Sequence, residues 1–404
     1  MRTVIHGLEV IWTLMTCDSN MEGLIILNRG SDCRWNLPAP CEASRMAFGT
    51  GRELQCARGK TLISFAYDNR EEAMHMKKRT LGKTGLEVGE LSLGAAFITG
   101  GEAGFDGALP IVRRAFELGI NLADTSADYG DSEKALGLAL RTLGEPCIVS
   151  TKLGPRPGRS FNPKDKACLR RVFEESLELL HRDVIDILMI HEPDRPGELD
   201  WYNDGIRFEG PVVELLQELK QEGLIKYTGL GGTTAYALAR IMATGEYDVV
   251  LTAFNSSPLW REAMIAVLPE ARKQNMGVLL GSPTQQGWLA RRFDKELEEG
   301  ALFLSPPRRA QLKALYELCD DCRIEIPVLC LRWALGVPGI SSVLTGPRTV
   351  TQLEQNFQAV EQGPLPAEVI RRLDEIASMV PFRPYDEPAL CLLGDPDYWG
   401  PGPA

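Results

Sequence analysis

From residue 76 onward the apolar positions fall into two kinds of stretch that take turns along the chain. Short runs such as Ile185–His191 are apolar nearly throughout, as a strand covered on both faces must be. Between them apolar residues recur every three or four positions. Leu169, Val172, Phe173, Ser176, Leu177 and Leu180, for example, line one face of a helix predicted over 164–180. Read this way, the pattern predicts strands at 91–96, 121–126, 147–152, 185–191, 227–230, 249–254, 277–280 and 342–344. It predicts helices at 108–118, 132–142, 164–180, 212–221, 235–243, 264–274, 309–319, 327–335, 350–360 and 367–379. Ahead of them, 78–81 and 86–88 flank Gly82-Lys83-Thr84-Gly85, a hairpin signal. Eight strand and helix alternations over about 280 residues suit a (β/α)8 TIM barrel with an N-terminal β-hairpin and a C-terminal helix and tail. A doubly wound sheet is the alternative, but the stretch LGAAFITGG at 93–101 lacks the glycine spacing of a phosphate-binding turn.

Residues 1–75 keep no period and mix Gly, Arg, Ser and Pro between isolated apolar pieces, so they read as an extension outside the fold. The barrel is expected over 76–380, and 381–404 form a tail too rich in Pro for a helix. Arg70-Glu71-Glu72 ahead of Met74 and Met76 favours a mis-assigned start, since two Glu codons can spell a purine-rich ribosome-binding site. A regulatory or targeting segment is the other reading of the same residues. No secretory signal is legible, because His6 and Glu9 interrupt the early apolar run.

Composition narrows the partners. The 404 residues are 44% hydrophobic, ample for a large core, and carry a net charge of −11. An acidic balance without a stripe of Lys and Arg argues against nucleic acid or an anionic membrane, and no apolar run has the length of a membrane span. Ten Cys without paired spacing fit a reducing compartment, so a cytoplasmic protein is expected. The lone Cys319-Asp320-Asp321-Cys322 reads as a thiol pair at a helix end, with no second pair to complete a metal site.

Three of the predicted strands run out in turn residues just after a polar side chain: Asp124, Lys152 and His191. Tyr129 follows Asp124 by five residues. If the strands are parallel, all four meet on the rim where barrels hold their active sites. The residue types match a task. A Tyr with its ordinary pKa of about 10 is a poor acid at neutral pH; a neighbouring ammonium stabilises its phenolate, and an Asp keeps that ammonium charged and aimed. A His beside them can donate a hydrogen bond to a substrate oxygen. Such a set protonates an alkoxide as it develops on a carbonyl carbon. Each residue alone has a plainer reading: a turn cap, a solvated or Schiff-base lysine, a packed rim aromatic, a satisfied histidine. Trp201, Tyr202, Trp260 and Trp288 fall in predicted loops over the same rim, as pocket lining or as loop anchors.

The pieces RTLGKTGLEVGELSLG, GINLADTSADYGDSEKALG, STKLG, IDILMIHEPD and SSVLTGPRTVTQLEQN resemble the aldo-keto reductases, and the likeness runs from Lys77 to Met379. The resemblance implies an NADP(H)-dependent barrel enzyme acting on an aldehyde, ketone or sugar carbonyl. It assigns the catalytic tetrad to Asp124, Tyr129, Lys152 and His191, with Tyr129 as general acid. It also implies that Gly346, Arg348, Gln352 and Asn356 hold the adenosine phosphate and that Ser282 lies on a pyrophosphate strap. Arg348 is the residue expected on a 2′-phosphate, because a guanidinium forks onto phosphate oxygens. Three departures stand out: Gly231-Gly232, Leu251 and Gly281 occupy positions where the family often has Ser-Asn, Gln and a stacking aromatic. They leave NAD open as the cofactor. An NAD(P)-dependent aldose dehydrogenase and a cofactor-binding regulatory barrel are the alternative functions.

Overall fold

The structure, a computed structural model, describes residues 76–195, 200–301, 303–381 and 383, together with the backbone of four short strands between residues 2 and 64. The chain divides into two units, Met1–Glu72 and Ala73–Ala404. In the first, Arg2–Ile5 pairs antiparallel with Leu8–Ile11, and Glu53–Gln55 with Leu62–Ser64. Beyond those strands, the expectations for residues 1–75, and those for the tail from 384 on, lie outside the described residues.

The second unit is a closed barrel of eight strands. They are β1 (Leu91–Gly94), β2 (Leu122–Asp124), β3 (Ile148–Leu153), β4 (Ile185–His191), β5 (Ile225–Gly232), β6 (Val249–Ala253), β7 (Gly277–Gly281) and β8 (Ser342–Thr345). Every neighbouring pair is parallel, and β8 closes on β1 through Val343 opposite Leu91. The doubly wound alternative is thereby excluded. The helices are α1 (Ala108–Glu117), α2 (Ser132–Leu143), α3 (Lys166–Leu180), α4 (Pro211–Gln221), α5 (Ala235–Met242), α6 (Glu262–Ile265), α7 (Val267–Gln274), α8 (Asp294–Glu299), α9 (Pro306–Cys322), α10 (Ile326–Gly336), α11 (Val350–Glu361) and α12 (Ala367–Met379).

Where these bounds differ from the expected ones, local chemistry explains why. Asp165 caps α3 by accepting the Ala167 amide at 2.9 Å, so the helix starts two residues late. Ser305 caps α9 and Pro306 sits at its first position, so that helix starts three residues early. The single helix expected over 264–274 is two, parted at Ala266, because the ring of Pro269 clashes with a carbonyl four residues back. The long segment after β7 also contains α8, which its charged residues did not announce.

Strand alternation sorts the side chains into two cores. Leu122, Ile187, Met189, Val249, Leu251, Ala253, Leu279 and Leu344 pack together inside the barrel, without any helix residue. The opposite faces, such as Ala123, Val149, Leu188 and Val250, join the helices in the larger outer core. The hairpin of Lys78–Thr80 and Glu87–Gly89 closes the N-terminal end, inserting Leu81 and Val88 into the inner cluster. Its turn needs glycine: Gly82 has φ +50°, and a Cβ there would fall 2.3 Å from the Gly277 nitrogen at the start of β7.

Candidate active site

Backbone strain points to one end of the barrel. Glu192, Phe254 and Ser282, the first residues past β4, β6 and β7, all have left-handed φ, at 49°, 65° and 52°. Each costs roughly 1–3 kcal/mol and persists only where the surroundings hold it, which is common at functional sites. This is the C-terminal end of the strands.

Asp124, Lys152 and His191 share the inward parity of Leu122, Ile148 and Met189, so they form the last inward positions of β2, β3 and β4. Lys152 Nζ donates to Asp124 Oδ2 at 2.6 Å and to the Thr125 carbonyl at 2.7 Å. The second Asp124 oxygen accepts from Ser150 Oγ at 2.8 Å. Only 1% of the Lys152 side chain and 5% of the Asp124 side chain are exposed, so this pair is sealed from water and undiluted by it. The ammonium lies 4.8 Å from the centre of the Tyr129 ring, and that ring meets the His191 ring edge to face at 5.4 Å. The structure thus brings all four residues together.

The protonation states follow from the packing. Burial disfavours charge on Lys152, but the Asp124 carboxylate and the Tyr129 phenol together outweigh it and hold the ammonium above its ordinary value. Burial pushes the Tyr129 phenol up, with the Lys152 charge pulling against it. Burial, reinforced by Lys152 and Arg195, pushes His191 down to about 3, which makes it a neutral imidazole at physiological pH.

On four of the five remaining strands this inner ring is small, while β8 carries Leu344. Gly94, Gly231 and Gly281 take the corresponding positions of β1, β5 and β7, and Ala253 that of β6. A Cβ at Gly231 would stand 3.3 Å from the Lys152 stem, and one at Gly281 3.2 Å from Leu251. Gly346, Arg348 and Gln352 gather at the start of α11, where Gln352 Oε1 accepts the Arg348 amide at 2.8 Å. The exposed Arg348 guanidinium lies 5.0 Å over the Phe97 ring. Asn356 is one turn further along α11, and Ser282 follows Gly281 at the opposite side of β8.

Trp201, Tyr202, Trp260 and Trp288 are all buried, at 1%, 6%, 0% and 3% exposure. They anchor loops and do not line an open pocket. Cys319 and Cys322 are free thiols on the last turn of α9, with burial pushing Cys319 up to about 12. A hollow of about 300 Å³ lined by Arg79, Arg272 and Met276 lies at the hairpin end, away from all four rim residues. Sequence reasoning missed three side chains that support the rim. Ser150 has the same parity as Lys152, so its position beside Asp124 was there to be read. Ser126, 3.3 Å from His191 Nδ1, and Glu133, buried against Thr151 at 2.7 Å, gave no such signal.

The chain is thus a (β/α)8 barrel with a buried carboxylate and ammonium and a half-buried phenol and imidazole at its C-terminal rim. The aldo/keto reductase family model matches residues 90–378, and the chain belongs to that family. It is 34% identical over 300 residues to the L-galactose dehydrogenase of Arabidopsis thaliana, covering 70% of this chain and 88% of that one. It is 30% identical over 318 residues to the NADH-specific methylglyoxal reductase of Escherichia coli (strain K12), covering 70% and 94%. Among solved structures it is similar to a holo aldo-keto reductase from Bacillus halodurans, with a TM-score of 0.61, 26% identity, and 76% and 98% of the two chains covered. The family uses nicotinamide cofactors in carbonyl oxidoreduction. No helix among the described residues is long and apolar enough to cross a membrane.

Proposed function

We propose that this chain moves a hydride between a nicotinamide cofactor and a carbonyl or sugar carbon, with Tyr129 giving or taking the proton at oxygen. The observation that carries the reading is the sealed Asp124–Lys152 pair, at 2.6 Å, set against the Tyr129 ring. The residues present fit a nicotinamide dinucleotide. Gly94, Gly231, Ala253 and Gly281 put little or no side chain on four of the other five strands at the rim, and Arg348 stands exposed at the start of α11. Asn255 Nδ2, Ser256 Oγ and Thr345 Oγ1, buried just past β6 and at the end of β8, have no hydrogen-bond partner among the described residues. Gly346, Arg348, Gln352 and Asn356 would hold the adenosine end, and Ser282 the pyrophosphate.

When bound in reduced form, the cofactor supplies the hydride. The protein supplies the rest. Tyr129, kept protonated by burial, donates its phenolic proton to the substrate oxygen as negative charge develops there. Lys152 stabilises the phenolate left behind, and Asp124 holds Lys152 in its charged form. The neutral His191 donates a hydrogen bond to the same oxygen and orients the carbonyl. In the reverse direction the substrate hydroxyl proton passes to the Tyr129 phenolate.

The likeness to an L-galactose dehydrogenase favours a second reading, oxidation of an aldose at its hydroxyl-bearing carbonyl-derived carbon. Both readings meet one experiment: a panel of aldoses and simple aldehydes with NADPH, NADH, NADP⁺ and NAD⁺, followed by absorbance of the reduced nicotinamide. Aldehyde reduction supports the first reading and aldose oxidation the second. Cofactor binding without turnover on any substrate would leave a barrel that binds and does not catalyse. In the same assay Arg348→Ala should weaken NADP(H) binding by about 1–3 kcal/mol and leave NAD(H) nearly unchanged. Equal losses for both cofactors remove Arg348 from the 2′-phosphate.

A further inference from the structure

His191 can place its proton on either ring nitrogen, and only one choice suits a hydrogen-bond donor to substrate. Three groups face its Nδ1 side. Ser126 Oγ lies 3.3 Å away, the Asp128 carboxylate 3.8 Å away, and Gly154 packs against the ring where a Cβ would stand 3.4 Å off. Nε2 has no hydrogen-bond partner among the described residues.

Ser126 decides between the tautomers because it is fully buried and its oxygen already accepts the Asp128 amide at 3.2 Å. Among the described residues its hydroxyl proton has one acceptor within reach, His191 Nδ1. If Nδ1 carried the proton, it would point at Ser126, and the buried serine hydroxyl would be left with nothing to donate to. The Asp128 carboxylate could reward that arrangement, but at 3.8 Å it is beyond a good hydrogen bond.

We propose that Ser126 is a positioning residue that selects the His191 tautomer: its hydroxyl donates to Nδ1, so Nε2 carries the N–H that faces the substrate. This builds on the role assigned to His191 above. Losing the hydroxyl frees Nδ1 to turn its proton toward Asp128, which strips the substrate side of its donor. The effect on chemistry is therefore indirect, through the imidazole.

The test reads the tautomer itself. The protein is labelled with ¹⁵N-histidine, the His191 signals are assigned by their loss in His191→Gln, and two-bond ¹H–¹⁵N correlations report which nitrogen is protonated. The chain has only four His, so overlap is small. The expected result is an unprotonated Nδ1 and a protonated Nε2 in the unaltered protein. In Ser126→Ala the Nδ1–H form should appear, kcat should fall by about tenfold, and cofactor affinity should hold, with Ser126→Thr restoring tautomer and rate. An Nδ1–H form in the unaltered protein, or an unchanged tautomer in Ser126→Ala, overturns the proposal. The spectrum of the unaltered protein decides even if Ser126→Ala does not fold. Because it needs no substrate, it also stands apart from the functional reading: the expected tautomer in a protein that turns over nothing would count against the reaction and leave the assignment of Ser126 intact.

Discussion

Two halves of the same rim are built to opposite specifications. On β2, β3 and β4 the last inward positions are Asp124, Lys152 and His191, the first two tied by a short hydrogen bond and closed to water. On β5, β6, β7 and β1 they are Gly231, Ala253, Gly281 and Gly94, with Leu344 on β8 between the last two. One half concentrates charge where a low dielectric makes it act strongly; the other removes side chains so that a planar group can approach. The contrast teaches that the departures at Gly231 and Gly281 need not be losses. They are consistent with a site that positions its cofactor by shape on one side and orders its proton donors on the other.

The largest expected effect breaks the polar half. Tyr129→Phe keeps the ring and its contact with His191 but removes the transferred proton, so turnover should drop at least about 100-fold with cofactor affinity retained. Lys152→Met should act through the same phenol, and the double variant should be little worse than either single one. Steady-state kinetics with cofactor titrated by fluorescence measures this; near-normal turnover in folded, cofactor-bound Tyr129→Phe sinks the mechanism. Lys152→Met also strands the buried Asp124 carboxylate, so it should be less stable than Tyr129→Phe in a thermal melt.

A smaller effect is expected from filling the open half. Gly231→Val puts a branched side chain where a Cβ already lies 3.3 Å from Cδ and Cε of Lys152. Displacing that stem should lower kcat by about tenfold or more and weaken cofactor binding as well. Unchanged kcat and affinity would show that the absence of bulk at Gly231 serves neither purpose.

The last effect is on stability, and its sign follows from His191. The native imidazole protonates only near pH 3, while the unfolded chain's does so near 6.5, so between those values the unfolded state binds the extra proton. Stability should be fully present above 6.5 and fall with acidification by about 1.4 kcal/mol per pH unit from this group. Denaturant melts of the unaltered protein and His191→Gln across that window should show the slope and its loss. Identical slopes in the two would mean that His191 is not held neutral by the fold.

The strand and helix rhythm was legible because it is local: a period of two or of 3.6 is written in neighbouring residues, and the barrel follows from eight repeats of it. The same periodicity puts Asp124, Lys152 and His191 at strand ends. The caps at Asp165 and Ser305 and the break ahead of Pro269 are local signals too, present in the sequence. What only the tertiary structure decided lies across strands. Whether Ser126 reaches His191, whether Glu133 meets Thr151, and whether the four rim aromatics face inward or out depend on the stagger and closure of the sheet. No spacing along one chain encodes those distances, because they are set jointly by eight strands whose register is fixed only when the last pairs with the first.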